Sequence, residues 1–293
     1  MRVTQQTLNQ NAIRNMSQNL ARFEKINNQV STGKLLHRPS DDPNGVSKAM
    51  NLKSALAANT QFERNTSEAK LLMDETGQHI GSMTDVMQRV RELAVQGNNG
   101  SLSEHDRTAI SAEVEELTEQ MRQLANAKVN GKSLFNGQNT GETPFPEKGS
   151  YALGSKDLVA RTFNIGEGIS IQSSVLPDDL FGTAADAQNL FKTLESISAN
   201  LKAGTSIDLD NIDAGMERLL TVAAQNGARQ NRVEAVENRL LDTNLQLKTM
   251  LSKVEDIDYA EAIIKLTSEE SVYQASLAAS SKIIQPSLMD FLR

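Results

Sequence analysis

Cysteine and tryptophan are absent from the 293 residues, and aromatic residues make up only 4%. Lack of cysteine excludes disulfides and thiolate metal sites, and suits a reducing cytosol and a surface protein equally. So few aromatics beside 38% apolar residues argue against a thick globule and for slender helices. There is no run of about 18 apolar residues to span a bilayer, and Met1 to Asn15 lack the apolar stretch of about 7 to 15 residues that a cleaved secretory signal carries. A basic footprint is missing too. With a net charge of -7, a pI near 5.2 and scattered Lys and Arg, neither nucleic acid nor a membrane is the expected partner.

What the chain does have is rhythm. Ile13, Met16, Leu20, Phe23, Asn27 and Val30 alternate steps of three and four, and Val233, Val236, Leu240, Thr243, Leu247, Met250, Val254 and Ile257 do the same. Such stripes make one apolar seam along a helix, so the apolar members of the two sets are predicted to form an intramolecular coiled coil between the chain's ends. Closing so long a loop is feasible because its entropic cost grows slowly with length. Polar seam positions such as Asn27 and Thr243 cost stability while fixing register, which predicts terminal segments that are partly disordered in the monomer.

Between the ends, Gly33 to Gly45 are dense in breakers. A helix is predicted from about Val46 to Gln96, with Ala69, Met73, Thr76, Ile80, Met83, Met87, Val90 and Ala94 along its seam. Ser103 and Asp106 read as the cap of a third helix, which carries Ile110, Val114, Leu117, Met121 and Leu124 and stops near Val129-Asn130-Gly131. From Gly137 to Gly182 the period changes: 151–159, 161–165 and 169–175 read as strands. Leu190 to Leu201 and Met216 to Gln225 read as two short helices.

The expected fold is therefore mainly α: a long antiparallel helical rod or coiled coil built from both chain ends, with an inserted small mixed α/β domain. Its expected parts are an N-terminal assembly segment 1–45, rod segments 46–136 and 220–258, the inserted domain 137–219, and a C-terminal assembly segment 259–293. The last of these holds Ile263, Ile264, Leu266, Val272, Leu277, Ile283, Ile284, Leu288 and Leu292, too many apolar residues for a solitary helix. They are the expected inter-subunit contacts, since a ring closes when one face of each subunit meets a different face of the next.

No catalytic constellation emerges. His37, His79 and His105 have no second ligand at helical spacing, so no metal is expected. Asp41 and Asp42, between Pro39 and Pro43, suit a turn and helix cap better than acid/base work. Gly131-Lys132-Ser133 lacks the upstream glycine of a phosphate-binding loop, so no cofactor is expected. Glu255, Asp256, Asp258 and Glu261 read as a solvated helix face. A hydrolase using Asp256 and Asp258 would need them converging on one cleft, whereas a helix sends residues i and i+2 to different faces. The chain is not expected to be an enzyme.

The family emerges from longer motifs. Arg89 to Gln96, containing Arg91-Glu92-Leu93-Ala94, with Asn99-Gly100 and Asp106-Arg107, closely resembles a helix and loop of bacterial flagellins, and Asn136-Gly137 resembles their Phe-Asn-Gly turn. Gln230-Asn231-Arg232 and Val254 to Ala260, with Asp256 and Asp258, are similar to flagellin's terminal helix. The resemblance covers roughly 1–137 and 220–293. Within that superfamily, Ser31 to Lys34 and Arg38-Pro39-Ser40-Asp41-Asp42-Pro43, together with Met1 to Thr4 and the total length, look most like the hook-filament junction members, the third hook-associated proteins.

That resemblance implies an extracellular structural protein of the bacterial flagellum. It implies export through the type III channel without a cleaved signal, and a ring of copies between the first hook-associated protein and the flagellin filament. A flagellar export chaperone is implied as a further partner. The alternative is a short flagellin forming the filament itself; a free-standing coiled-coil scaffold is disfavoured by the specificity of these motifs.

Overall fold

Helix dominates because long stretches run without proline between the breaker clusters that punctuate them. The computed structural model describes residues 5–145, 158–183, 186 and 188–284. Among these the chain forms α1 (Gln5–Thr32), α2 (Pro43–Gly97), α3 (Glu104–Ala125), β1 (Lys128–Val129), β2 (Lys132–Ser133), β3 (Thr162–Gly166), β4 (Ile169–Gln172), α4 (Pro177–Phe181), α5 (Leu190–Ala203), α6 (Leu209–Glu255) and α7 (Tyr259–Ile284). Contacts divide the chain into two compact units, 59–243 and 1–58 with 244–293.

In unit 59–243, α2 and α6 lie antiparallel. Asn59 Nδ2 donates to the Leu240 carbonyl at 3.0 Å, Lys70 pairs with Glu237 at 2.8 Å, and Arg91 grips Asp213 through two hydrogen bonds of 2.6 and 3.2 Å. The expected stripe on α2 is core: Met73, Ile80, Met83, Met87 and Val90 are fully buried. All but Met73 share one core with Ile110, Val114 and Met121 of α3, Leu194 and Ile197 of α5, and Leu219 and Val222 of α6. Phe145, Phe181 and Phe191 close the cluster with ring centroids 4.6 to 5.1 Å apart.

Local sequence explains the ends of these elements. Ser103 and Asp106 form a reciprocal capping box at the start of α3. Asn189 caps α5 by accepting from the Phe191 and Lys192 amides, and left-handed Gly204 ends it. β1 and β2 pair antiparallel around Asn130-Gly131, both at positive φ, the signature of a type I′ hairpin turn. β3 and β4 form a second antiparallel hairpin, irregular between Asn164 and Gly166.

Two expectations change. The short helix expected at Met216 to Gln225 lies within the 47-residue α6, because Gly227 weakens helix without ending it and no proline follows. Of the strand expected at 151–159, residues 151–157 lie outside the described residues, and Leu158 and Val159 have no regular structure.

Candidate assembly surface

In the other unit, α1 packs along α7. The pairing is antiparallel: Asn19 bonds Ser276, Arg22 approaches Glu269 at 3.4 Å, and Phe23 stacks on Tyr273 with centroids 6.1 Å apart. The half-buried positions run Ala12, Met16, Asn19, Phe23, Ile26 and Val30 on α1, and Ala262, Leu266, Glu269, Tyr273, Ser276 and Ser280 on α7. Both follow the four-three rhythm of a two-helix seam.

This corrects the expected partner of the first helix. Val233, Val236 and Leu240 are buried against Ala69 and Met73 of α2 and Ile165 and Ile171 of the β3–β4 hairpin. Leu247, Val254 and Ile257 are only half-buried and Met250 is exposed. The seam on α1 is also rotated: Met16, Phe23 and Val30 lie in it, whereas Ile13 and Leu20, placed there by the spacing, are exposed at 53% and 38%. Ala12, Asn19 and Ile26 take the intervening positions, Asn19 by bonding Ser276 across the pair.

The outer faces are polar with large apolar side chains set among the polar ones. On α7, Ile263, Ile264, Val272 and Leu277 are exposed, Ile264 at 68%. Leu266, expected with them, turns instead into the seam toward α1. The side chains of Ile283 and Ile284, and all of Leu288 and Leu292, lie outside the described residues. These exposed apolar side chains are the candidate assembly surface.

Below the pair, the α1–α2 and α6–α7 connections are stitched together. Leu35 N donates to the Glu255 carbonyl at 2.6 Å, and Ile257 N donates to the Gly33 carbonyl at 3.1 Å, flanking an antiparallel Lys34–Asp256 bridge. Gly33 has φ +72, a left-handed backbone that favours glycine, and it lies under the Tyr259 hydroxyl. Asp258 starts α7 by accepting from the Ala260 and Glu261 amides at 2.9 and 3.3 Å.

Glu255 departs from its expected role as a solvated acid. Its side chain is buried, and Oε1 accepts from Lys34 Nζ at 2.8 Å and Lys53 Nζ at 2.7 Å. Burial pushes its carboxyl up, but the two lysine hydrogen bonds and charges outweigh that and hold it below 4.5. Sequence reading missed this clamp because Lys34 and Lys53 are 221 and 202 residues away.

The signature residues are mostly structural. Asp41 accepts from Lys25 at 2.9 Å and from the Arg38 amide at 3.0 Å; these bonds, the lysine first, bring it down to about 2. Asp42 accepts from Asn44 N at 3.1 Å, starting α2 behind Pro43 at the first turn. Pro39 and Ser40 are exposed in the loop between. Glu92 pairs with Arg89 at 3.0 Å, while Leu93 and Ala94 are buried. Asn136 Nδ2 donates to the Asn139 and Glu142 carbonyls, and Gly137 has φ +54 where a Cβ would strike the Val159 carbonyl. Gln230 bonds Asp74 at 2.9 Å, whereas Asn231 and Arg232 are exposed.

Catalytic geometry is not assembled from the candidates. Asp256 and Asp258 are exposed beside the stitch, and His37, His79 and His105 stay apart: His37 bonds Thr32, His79 lies edge-on to Phe135, and His105 is exposed. Among the described residues no group of three His, Cys, Asp or Glu could hold a metal ion, and no helix is long and apolar enough to cross a membrane.

Comparisons with known proteins match both helical flanks of the chain. Residues 3–140 match the bacterial flagellin N-terminal helical region, and residues 209–292 match the bacterial flagellin C-terminal helical region. The flagellar hook-associated protein 3 of Escherichia coli strain K12 is 29% identical over 309 residues, covering 95% of this chain and 96% of that protein. The flagellar filament core protein flaB2 of Brachyspira hyodysenteriae is 27% identical over 250 residues, covering 85% and 84%. The crystal structure of flagellar hook-associated protein-3 from Legionella pneumophila superposes with a TM-score of 0.62 at 16% identity, over 70% of this chain and 98% of that one, a likeness of fold.

Proposed function

From the premise that the chain belongs to the bacterial flagellin family, we propose that it is a structural component of the bacterial flagellum that joins the hook side to the flagellin filament. The observation that carries this reading is the end-to-end match to a hook-associated protein 3, over 95% of this chain and 96% of the relative. Matches to filament proteins are lower in both identity, 25–27%, and coverage, 85–92% of this chain, so the junction is favoured over the filament subunit.

The mechanism follows from the exposed terminal pair. Copies assemble as α1 and α7 bury Ile13, Leu20, Ile263, Ile264, Val272 and Leu277 against neighbours. At about 25 cal/mol per Å² of apolar surface removed from water, several such side chains per subunit repay the ordering of a helix pair that is weakly held alone. In this reading a ring of copies contacts the first hook-associated protein on one side and flagellin on the other. The chain is escorted by an export chaperone and leaves through the type III channel without losing a leader.

Deleting the gene and inspecting cells and medium tests the reading. Bare hooks with unpolymerised flagellin in the medium are the expected result. Bare hooks with no flagellin anywhere would make this chain the filament subunit, and normal filaments would remove both readings.

A further inference from the structure

The Glu255 clamp leaves charge over. One carboxylate faces two ammonium groups, each Nζ has donors to spare, and His37 stands beside them. These groups edge a pocket of about 300 Å³ whose wall is apolar, including Leu36 and Met50, the latter 65% exposed. On the pocket's own lining the excess is cationic, with Lys34 and Lys53 against the single carboxylate of Glu255, while Asp256 and Asp258 lie in the adjoining turn. Such a pocket fits an apolar side chain flanked by carboxylates.

The chain carries that shape on another surface. On α2, Glu68, Leu71 and Glu75 stand at i, i+3 and i+7, so they share one helical stripe. Leu71 is 45% exposed, and neither glutamate has an ion-pair partner among the described residues. We propose that, in the assembled protein, the Glu68–Leu71–Glu75 stripe of one copy docks on the Lys34–Lys53 pocket of the next, with Leu71 against Met50 and the carboxylates on the lysine donors. The occupant is a second copy because its charge and apolar spacing complement the pocket, and because knob and hole are different surfaces. A contact of that kind propagates head to tail, as a ring or helical array requires. It rests on the proposed self-assembly, but not on whether assembly occurs at the junction or in the filament.

The absence of cysteine gives a clean test. Differently tagged chains carrying Met50→Cys and Leu71→Cys, both exposed positions, are co-produced in cells lacking the native gene, and isolated flagella are oxidised. Disulfide-linked species carrying both tags are expected, with loss of that band when Glu68→Lys and Glu75→Lys are added to the Leu71→Cys chain. Links only between like tags, links from Cys at 50 to a different flagellar protein, or no link in flagella that contain both chains would overturn the contact. If the cysteine chains do not enter flagella, purified Glu68→Lys/Glu75→Lys chain is compared with the native chain by sedimentation. Folded variant that self-associates as the native chain does overturns the proposal, and loss of association supports it. A correct link found along the filament would remove the junction reading and leave this contact standing.

Discussion

The α2 core and the α1–α7 pair are written in the same four-three rhythm, yet they end in different states. Met73, Ile80, Met83, Met87 and Val90 of α2 are fully buried, whereas no described side chain of α1 or α7 is. Periodicity is not what differs. In unit 59–243, α3, α5, α6 and the Phe145–Phe181–Phe191 cluster cover the stripe from several sides. The terminal pair has one partner each way, and its seam includes Asn19, Glu269, Ser276 and Ser280. A heptad pattern thus announces that a helix has a partner and leaves open how many.

The comparison breaks most sharply by truncation. Phe135→Ala, at a fully buried ring, is expected to cost about 3–5 kcal/mol in thermal or denaturant unfolding. Phe23→Ala should leave that main transition within about 0.5 kcal/mol while loosening α1 from α7. Equal losses from both would mean that the two regions unfold as one. Amide exchange sharpens the same point: protection around Met83 and Val90 should far exceed that around Phe23 and Tyr273 in the monomer, and comparable protection would show a preformed terminal pair.

Acid should act on the stitch. Glu255 has a folded pKa below 4.5, so its contribution is complete above 4.5 and is lost as the pH falls through the lower folded value. Protection of the Leu35 and Ile257 amides, measured against their intrinsic exchange rate at each pH, should therefore fall on acidification in the native chain, and Glu255→Gln should show lower protection already at neutral pH with little further change. A native profile as flat as the variant's would remove the clamp's role. The smallest effect on folding is expected for Ile264→Ser, within about 0.5 kcal/mol of native stability because the side chain is exposed. The same substitution should sharply reduce filament attachment, and normal attachment would take α7's outer face out of the assembly surface.

Much of the fold was legible because local chemistry carried it. The capping box at Ser103 and Asp106 and the stripe from Ala69 to Ala94 stand where their residues place them, whereas the breaker stretch from Gly33 ends at Asp42 because α2 opens at Pro43. Pairing was harder to read. Nothing local to α1 distinguishes α7 from the later part of α6, and the spacing favoured the row of Ile13 and Leu20 over the adjacent row of Ala12, the polar Asn19 and Ile26, which is the one that packs. Glu255 was hidden for a related reason. In sequence it has acidic neighbours, Asp256 and Asp258, while the lysines that neutralise it arrive only with the tertiary fold.

The antiparallel pairing of α1 with α7 also sets a timetable for synthesis. Phe23 leaves the ribosome long before Tyr273, the ring it stacks on, 250 residues later. At about 5–20 residues per second the first helix waits on the order of ten to fifty seconds without its mate. Throughout that interval its apolar stripe is open to any other binder in the cell, and the helix made first is among the last to be matched.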